Sequence, residues 1–269
     1  MSEKKEEEGE MSFLEHLEAL RWHLVRACIA ILIGGLVCFF FKDFIFDKII
    51  FAPAKSDFIT YRYLCLVAQV IHIEGLCISP PAIDYFTTSL GESFMTHFQI
   101  SIVLGLIIAF PYVFWEVWGF VSPGLESNER KNAIGIVFVC SFLFMLGILF
   151  GYYVFSPFAI SFLAGYAIEG VRASTSLTSY VDYLMMFTLP TGLVFEMPIV
   201  VYFLAKIGIV GSQGLKKQRR MAFVIILIVS AIITPTTDMF SMLLIAIPLY
   251  LLYEVSIIVA HRVDKSRKI

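Results

Sequence analysis

The chain has 269 residues, of which 59% are hydrophobic and only 16% charged, with a formal net charge of −2 and a mean hydropathy of +0.84. Soluble domains average about 25% charged residues, so this composition excludes an ordinary water-soluble domain, and the near-neutral charge excludes a basic nucleic-acid surface. The apolar residues fall in long blocks, the pattern of membrane spans gathered into one helical bundle.

Residues 1–10, with the run SEKKEEEGE, read as a disordered acidic arm. That acidity, with no small-residue cleavage site after it, argues against a cleavable signal. Next comes SFLEHLEALRWHL at 12–24. Ser12 and Glu15 have capping-box spacing, and Phe13, Leu17, Leu20 and Leu24 recur at helical intervals. The pattern predicts an amphipathic lead-in helix lying in the interface before the first span. A simple interfacial anchor is the alternative to a binding role.

Six blocks follow: 22–41, 98–118, 133–155, 183–205, 221–234 and 239–260. They read as helices, because an open strand in lipid would leave backbone groups unpaired. The fifth holds only about 14 strongly apolar residues, short of the roughly 20 that cross a 30 Å core. Of the 20 Lys and Arg, only Lys42, Lys48, Lys55, Arg62 and Arg172 fall on one side of this arrangement, and the other fifteen fall on the side of both termini. The positive-inside rule then puts both termini in the cytoplasm. The outer loops are one long segment near 43–97, one at 156–182, and the short TPTTD at 234–238.

In the long outer loop, Cys65 and Cys77 face the oxidising side, 12 positions apart. Closing a loop of that size stabilises by about 3 kcal/mol where geometry allows. Two unrelated thiols are the alternative. Cys28, Cys38 and Cys140 lie in apolar blocks as small fillers. FPYVFWEVWGFVSPGLESNERK at 110–131 ends the second span, turns at Pro123-Gly124 and starts the next helix near Ser127. Its aromatic residues suit the headgroup belt. Glu129, in the first turn of that next helix, complements the helix dipole or binds a cation. Gly147 and Gly151 form a GxxxG, which permits close helix packing.

Glu196 stands in TGLVFEMPIVVYF, well inside the fourth span. A charge there costs about 2.5–3.5 kcal/mol on insertion scales, so it faces protein or water, or is protonated, and it is the strongest functional candidate by position. Pro190, Gly192 and Pro198 loosen the same helix. Glu254, nearer the cytoplasmic end of the last span, is either a snorkelling or a helix-packing residue. No Walker loop, H-E-x-x-H or G-x-S-x-G occurs, so nothing points to catalysis, a cofactor or a metal.

Five segments taken in order carry a resemblance. SFLEHLEALR, the P-x-x-x-W-x-x-W-x-F-x-x-P-G-L-x-x-x-E-R-K run, FGYYVFSPFAISFL, GLVFEMP and IITPTTDMFSMLLIAIPLYLLYE together resemble the TatC family over about residues 11–262. The resemblance implies an all-α integral membrane protein: six transmembrane helices in a glove-shaped bundle, N and C termini cytoplasmic, the last two helices short, and a basic cytoplasmic tail at 263–269. It implies residence in the bacterial cytoplasmic (inner) membrane. It also implies a protein-translocase subunit without catalytic chemistry. Such a subunit binds twin-arginine signal peptides, assembles as a homo-oligomer with single-span TatA and TatB partners, and moves folded cargo using the proton-motive force.

The same resemblance implies a cytoplasmic patch in which two carboxylates meet two guanidinium forks, a pairing Lys cannot reproduce. Glu129 matches one family position. The other is occupied by Ala19, leaving Glu18 as the favoured substitute and Glu15, one turn back on the face of Ala19, as the alternative. Arg21, Pro111, Phe120 and Pro123 fall on positions that shape the patch. Glu196, Glu254 and Asp238 are implied in partner docking and transport, and the insertion carrying Cys65 and Cys77 is longer than the family pattern. The rival readings are a small-molecule secondary transporter, which would show paired repeats and broken helices in two halves, and an intramembrane enzyme.

Overall fold

Inside a bilayer the backbone must satisfy its own hydrogen bonds, and the apolar blocks do so as helices. The computed structural model describes residues 13–71, 77, 83–121, 133–165, 174–233 and 239–267. In chain order the labelled elements begin with α1 (Phe13–Phe40), α2 (Ile59–Ile71), β1 (Asp84–Phe86) and α3 (Glu92–Val121). Then come α4 (Ala133–Phe150), a π-helical turn Gly151–Phe155, α5 (Ser156–Gly165), β2 (Ser174–Ser176) and α6 (Leu177–Phe195). The chain continues as α7 (Met197–Lys206), α8 (Ser212–Lys217), α9 (Arg219–Ile233) and α10 (Met239–Arg267).

Five described segments are long and apolar enough to cross a membrane: Leu17–Phe40, Glu92–Val121, Ile134–Gly165, Leu177–Lys206 and Ile245–Lys265. The expected fifth span is α9, whose 15 residues rise only about 22 Å. Two expectations need correction. The lead-in segment is not a separate interfacial helix. It runs unbroken into the first span as α1, because no Pro and no Gly interrupts residues 13–33. The long outer loop is also structured, with the turn Lys42–Phe44, the π-helical turn Ile45–Ile50, α2 and β1.

The chain divides into two compact units, Met1–Phe40 with Ser101–Ser141, and Phe41–Ile100 with Phe142–Ile269. In the first, α1 and the C-terminal two-thirds of α3 pack antiparallel through their glycines. A Cβ on Gly34 would lie 3.1 Å from the Gly105 carbonyl oxygen, and one on Gly35 3.2 Å from that of Ser101. Towards the other end, Gly119 lets the His23 ring approach to 3.0 Å of where its Cβ would be. Without side chains between them, the backbones gain close dispersion contact, the main attraction between helices where lipid is as apolar as Leu.

In the second unit the core is Phe155, Ala159, Phe187, Ile226, Ile245, Ala246, Leu249, Tyr253 and Ile257, extended at one end by Val201, Ala205, Ala260 and Val263. Gly147 and Gly151 both press on α6: a Cβ on either would come within 2.8 Å of Gly192 or 2.6 Å of the Phe187 carbonyl. Pro157 has no N–H for the Tyr153 carbonyl one turn back, and Thr60 of α2 donates to that carbonyl at 2.6 Å instead. β1 and β2 pair in parallel, Asp84 opposite Ser174 and Phe86 opposite Ser176. Beside them the buried Glu92 accepts from the Thr88 backbone and hydroxyl, from Ser89 N and from Thr178 N.

Cys65 and Cys77 are joined in a disulfide, with Cα atoms 4.3 Å apart. Protein isolated without reductant should therefore resist alkylation at both positions until reduced. Free labelling of either would contradict the bond. Tyr61 of α2 donates to the Pro53 and Pro157 carbonyls at 2.9 and 3.0 Å and accepts from Ser161. Burial pushes its hydroxyl up from 10 to about 12. The folded chain then holds a proton that the unfolded chain releases, so stability falls as pH rises from about 10 towards 12. In an alkaline titration Tyr61→Phe should lose less structure across that window than the parent, read by circular dichroism.

Candidate functional site

Charged side chains at a helix–helix contact in lipid need partners, and the α1–α3 hairpin supplies a set. Glu116 is buried on α3, 6% exposed. Its Oε2 lies 2.6 Å from His23 Nδ1 and accepts from Arg26 Nε at 3.1 Å. At 2.6 Å one of the two His23–Glu116 partners must carry the proton. Tyr112, one turn before Glu116, donates to the same carboxylate. Phe120 sets its ring edge-on to His23 with centroids 6.5 Å apart. Arg26 keeps nearly half of its side chain in the open, 47% exposed. The arrangement is a buried carboxylate held by one imidazole and one half-exposed guanidinium.

Ala19, His23 and Arg26 occupy one face of α1, the face turned to Glu116. Ala19 is half-buried there, while Glu18 and Arg21 are exposed. Glu18 points about 100° away from Ala19 around the helix. Pro111 is exposed within α3. Glu129, Pro123 and Asp238, and the side chain of Glu15, lie outside the described residues. The structure thus gathers Phe120 with His23 and Glu116 and keeps Glu18 out of that cluster.

Glu116 and His23 were not among the sequence candidates. A usable signal was present, since two basic residues three apart inside an apolar span call for a carboxylate on the neighbouring helix. Glu116 was hidden in the aromatic run FWEVWGF.

In the second unit Glu196 forms the turn between α6 and α7, half-buried, with its N–H bonded to the Leu193 carbonyl. Pro198 cannot donate to the carbonyl of Val194, which breaks the ladder there. Glu254 accepts from Arg219 at 2.7 Å, joining α10 to the start of α9.

Five described segments long and apolar enough to span a membrane define a multi-pass α-helical membrane protein. The family profile for "Sec-independent protein translocase protein (TatC)" matches residues 15–248. The chain is 38% identical over 266 residues to the TatC of Blattabacterium sp. subsp. Periplaneta americana, covering 98% of this chain and 100% of that one. It is 32% identical to the TatC of Aquifex aeolicus, covering 96% and 98%. Two crystal structures of the twin-arginine translocase receptor TatC superpose with TM-scores of 0.67 and 0.71, at 31% and 32% identity over 93% and 91% of this chain. The chain belongs to the TatC family and is a Tat translocase subunit, a protein-transport component rather than an enzyme.

Proposed function

We propose that this chain is the receptor of a twin-arginine translocase, binding the two adjacent arginines of a signal peptide on the cytoplasmic side of a bacterial inner membrane. The observation that carries this reading is the His23–Glu116–Arg26 cluster. It supplies a carboxylate on the very face of α1 where the family glutamate is replaced by Ala19. Glu116 then acts with Glu129 as the pair that meets two guanidinium groups. Arg26, half in the open, is the group an incoming arginine displaces or joins, since a carboxylate has two oxygens and about four acceptor sites. Glu18, on another face of α1, stands further from this function, while Glu15, one turn back on the face of Ala19, remains the alternative partner.

The wider reading follows the family. Six helices cross or enter the bilayer, with α9 as the short one, and both termini are cytoplasmic. The membrane domain covers residues 11–262 between the acidic arm and the basic tail. TatA- and TatB-type subunits and further copies of this chain complete the complex, and the proton-motive force drives transport. The crystallised relatives are twin-arginine translocase receptors, which supports the binding role.

Site-specific crosslinking from position 120 to one signal peptide in RR and KK versions tests the core claim. RR should crosslink and KK should not; equal crosslinking overturns it. For transport, Glu196→Ala should leave the protein folded and signal-binding while export falls, because removing an ionisable group from lipid depth does not destabilise. Normal export by that variant, measured on a Tat-dependent reporter, would remove Glu196 from the mechanism.

A further inference from the structure

Helix α2 is 13 residues long, about 20 Å, too short to cross a membrane, yet it is apolar on two sides. One side packs inward: Tyr61 and Ala68 are 3% and 4% exposed. The other side presents Ile59, Tyr63, Leu66, Val67 and Val70 on a single face, exposed from 43% to 80%. In water such a stripe would be an aggregation liability. The polar residues Arg62 and Gln69 lie together on one flank and are exposed, as in helices that lie along an interface with the charged side chain reaching the headgroups.

The position of α2 along the molecule says what covers the stripe. Thr60 is bonded to the Tyr153 carbonyl of the third span. Counted along that span from Ile134, Tyr153 is about 19 residues on, a rise of about 28 Å, close to the far boundary of a 30 Å hydrocarbon core. A groove of about 500 Å³ runs between the two elements there, lined by Ile59, Tyr63, Leu64 and Val67 of α2 and by Val154 and Phe158 of the span. One and two turns back along the third span from Tyr153, Leu149 and Leu146 are each 43% exposed. The disulfide at Cys65 leaves from the flank of the helix and leaves the stripe open.

We infer that α2 is an interfacial helix whose stripe and groove seat acyl chains of the leaflet farther from Ile134, with Arg62 among the headgroups. This is independent of the signal-peptide reading and rests only on the chain being a multi-pass membrane protein. The Thr60–Tyr153 and Tyr61–Pro157 bonds dock the helix on the third span at a fixed depth, so that the lipid beside it is held against one wall of the protein.

The test uses the full chain with Cys28, Cys38 and Cys140 replaced, Cys65–Cys77 kept oxidised, and nitroxides placed singly at 63, 66, 67 and 70 after reconstitution into phosphatidylcholine–phosphatidylglycerol vesicles. Collision with oxygen, which concentrates in lipid, is compared with collision with a water-soluble nickel chelate. The oxygen-to-nickel ratio should match that of a label at Leu146 and exceed several-fold that at Ser56. A ratio like that of Ser56 means water covers the stripe and overturns the inference. Exclusion of both reagents means protein covers it, a second copy in this preparation, and overturns it equally.

Discussion

Glu116→Ala should weaken binding of an RR signal peptide by about 1.5–3 kcal/mol, the range for a hydrogen bond to a charged group, which is roughly 10- to 150-fold in Kd. The variant also leaves the His23–Arg26 pair, in contact at 3.0 Å, without its carboxylate, so the hairpin itself loses a charge balance. Glu116→Gln separates the two effects. It keeps an acceptor for His23 and Arg26 and should hold the hairpin together, while still losing part of the RR preference because the oxygen is no longer charged. Arg26→Gln removes the competing guanidinium and should leave RR affinity unchanged or raise it. Binding titrations of each variant against RR and KK peptides read all three. If Glu116→Ala and Glu129→Ala leave the RR-over-KK preference intact singly and together, the two-carboxylate reading is wrong for this chain.

The second large effect is structural. Gly105→Ala should destabilise the protein by about 3 kcal/mol, the upper part of the range for overpacking a tight contact. The added methyl would meet Gly35 backbone atoms and come within 2.6 Å of the Ile31 carbonyl oxygen. Backbone cannot rotate out of the way as a side chain would, so the two helices must separate. Gly135→Ala is the control, since a Cβ there meets nothing within 4 Å and an alanine in a helix is favoured over glycine by about 0.5–1 kcal/mol. Thermal unfolding in detergent should rank Gly105→Ala well below the parent and Gly135→Ala at or above it.

The spans were legible because twenty apolar residues have one explanation in an export-competent membrane, and hydropathy reports that directly. What hydropathy does not report is which face of a span touches which neighbour. Gly147 and Gly151 were visible as a motif and do pack on α6. Gly34 and Gly35 do the same work against Gly105, but adjacent glycines match no spacing pattern. Glu116 was missed for the same reason: its meaning lies in His23 and Arg26, 93 and 90 positions away. The three-residue strands have too few residues for a period-two pattern to register. The amphipathic α2 was passed over as loop because residues 59–71 are shorter than a span, although their helical periodicity was there to be read.

The glycine seam also constrains how the molecule is made. Gly35 and its partner Gly105 are about 70 residues apart in the chain, and at about 5–20 residues per second of synthesis the first helix waits some seconds before the second exists. During that interval α1 has only lipid around it, and its exposed Leu32, Ile33, Leu36 and Val37 are suited to that. His23 and Arg26 have no carboxylate partner until Glu116 emerges, so the newborn helix carries the Arg26 guanidinium uncompensated until α3 is made. The order of synthesis thus bears on the same residues that afterwards form the His23–Glu116–Arg26 cluster.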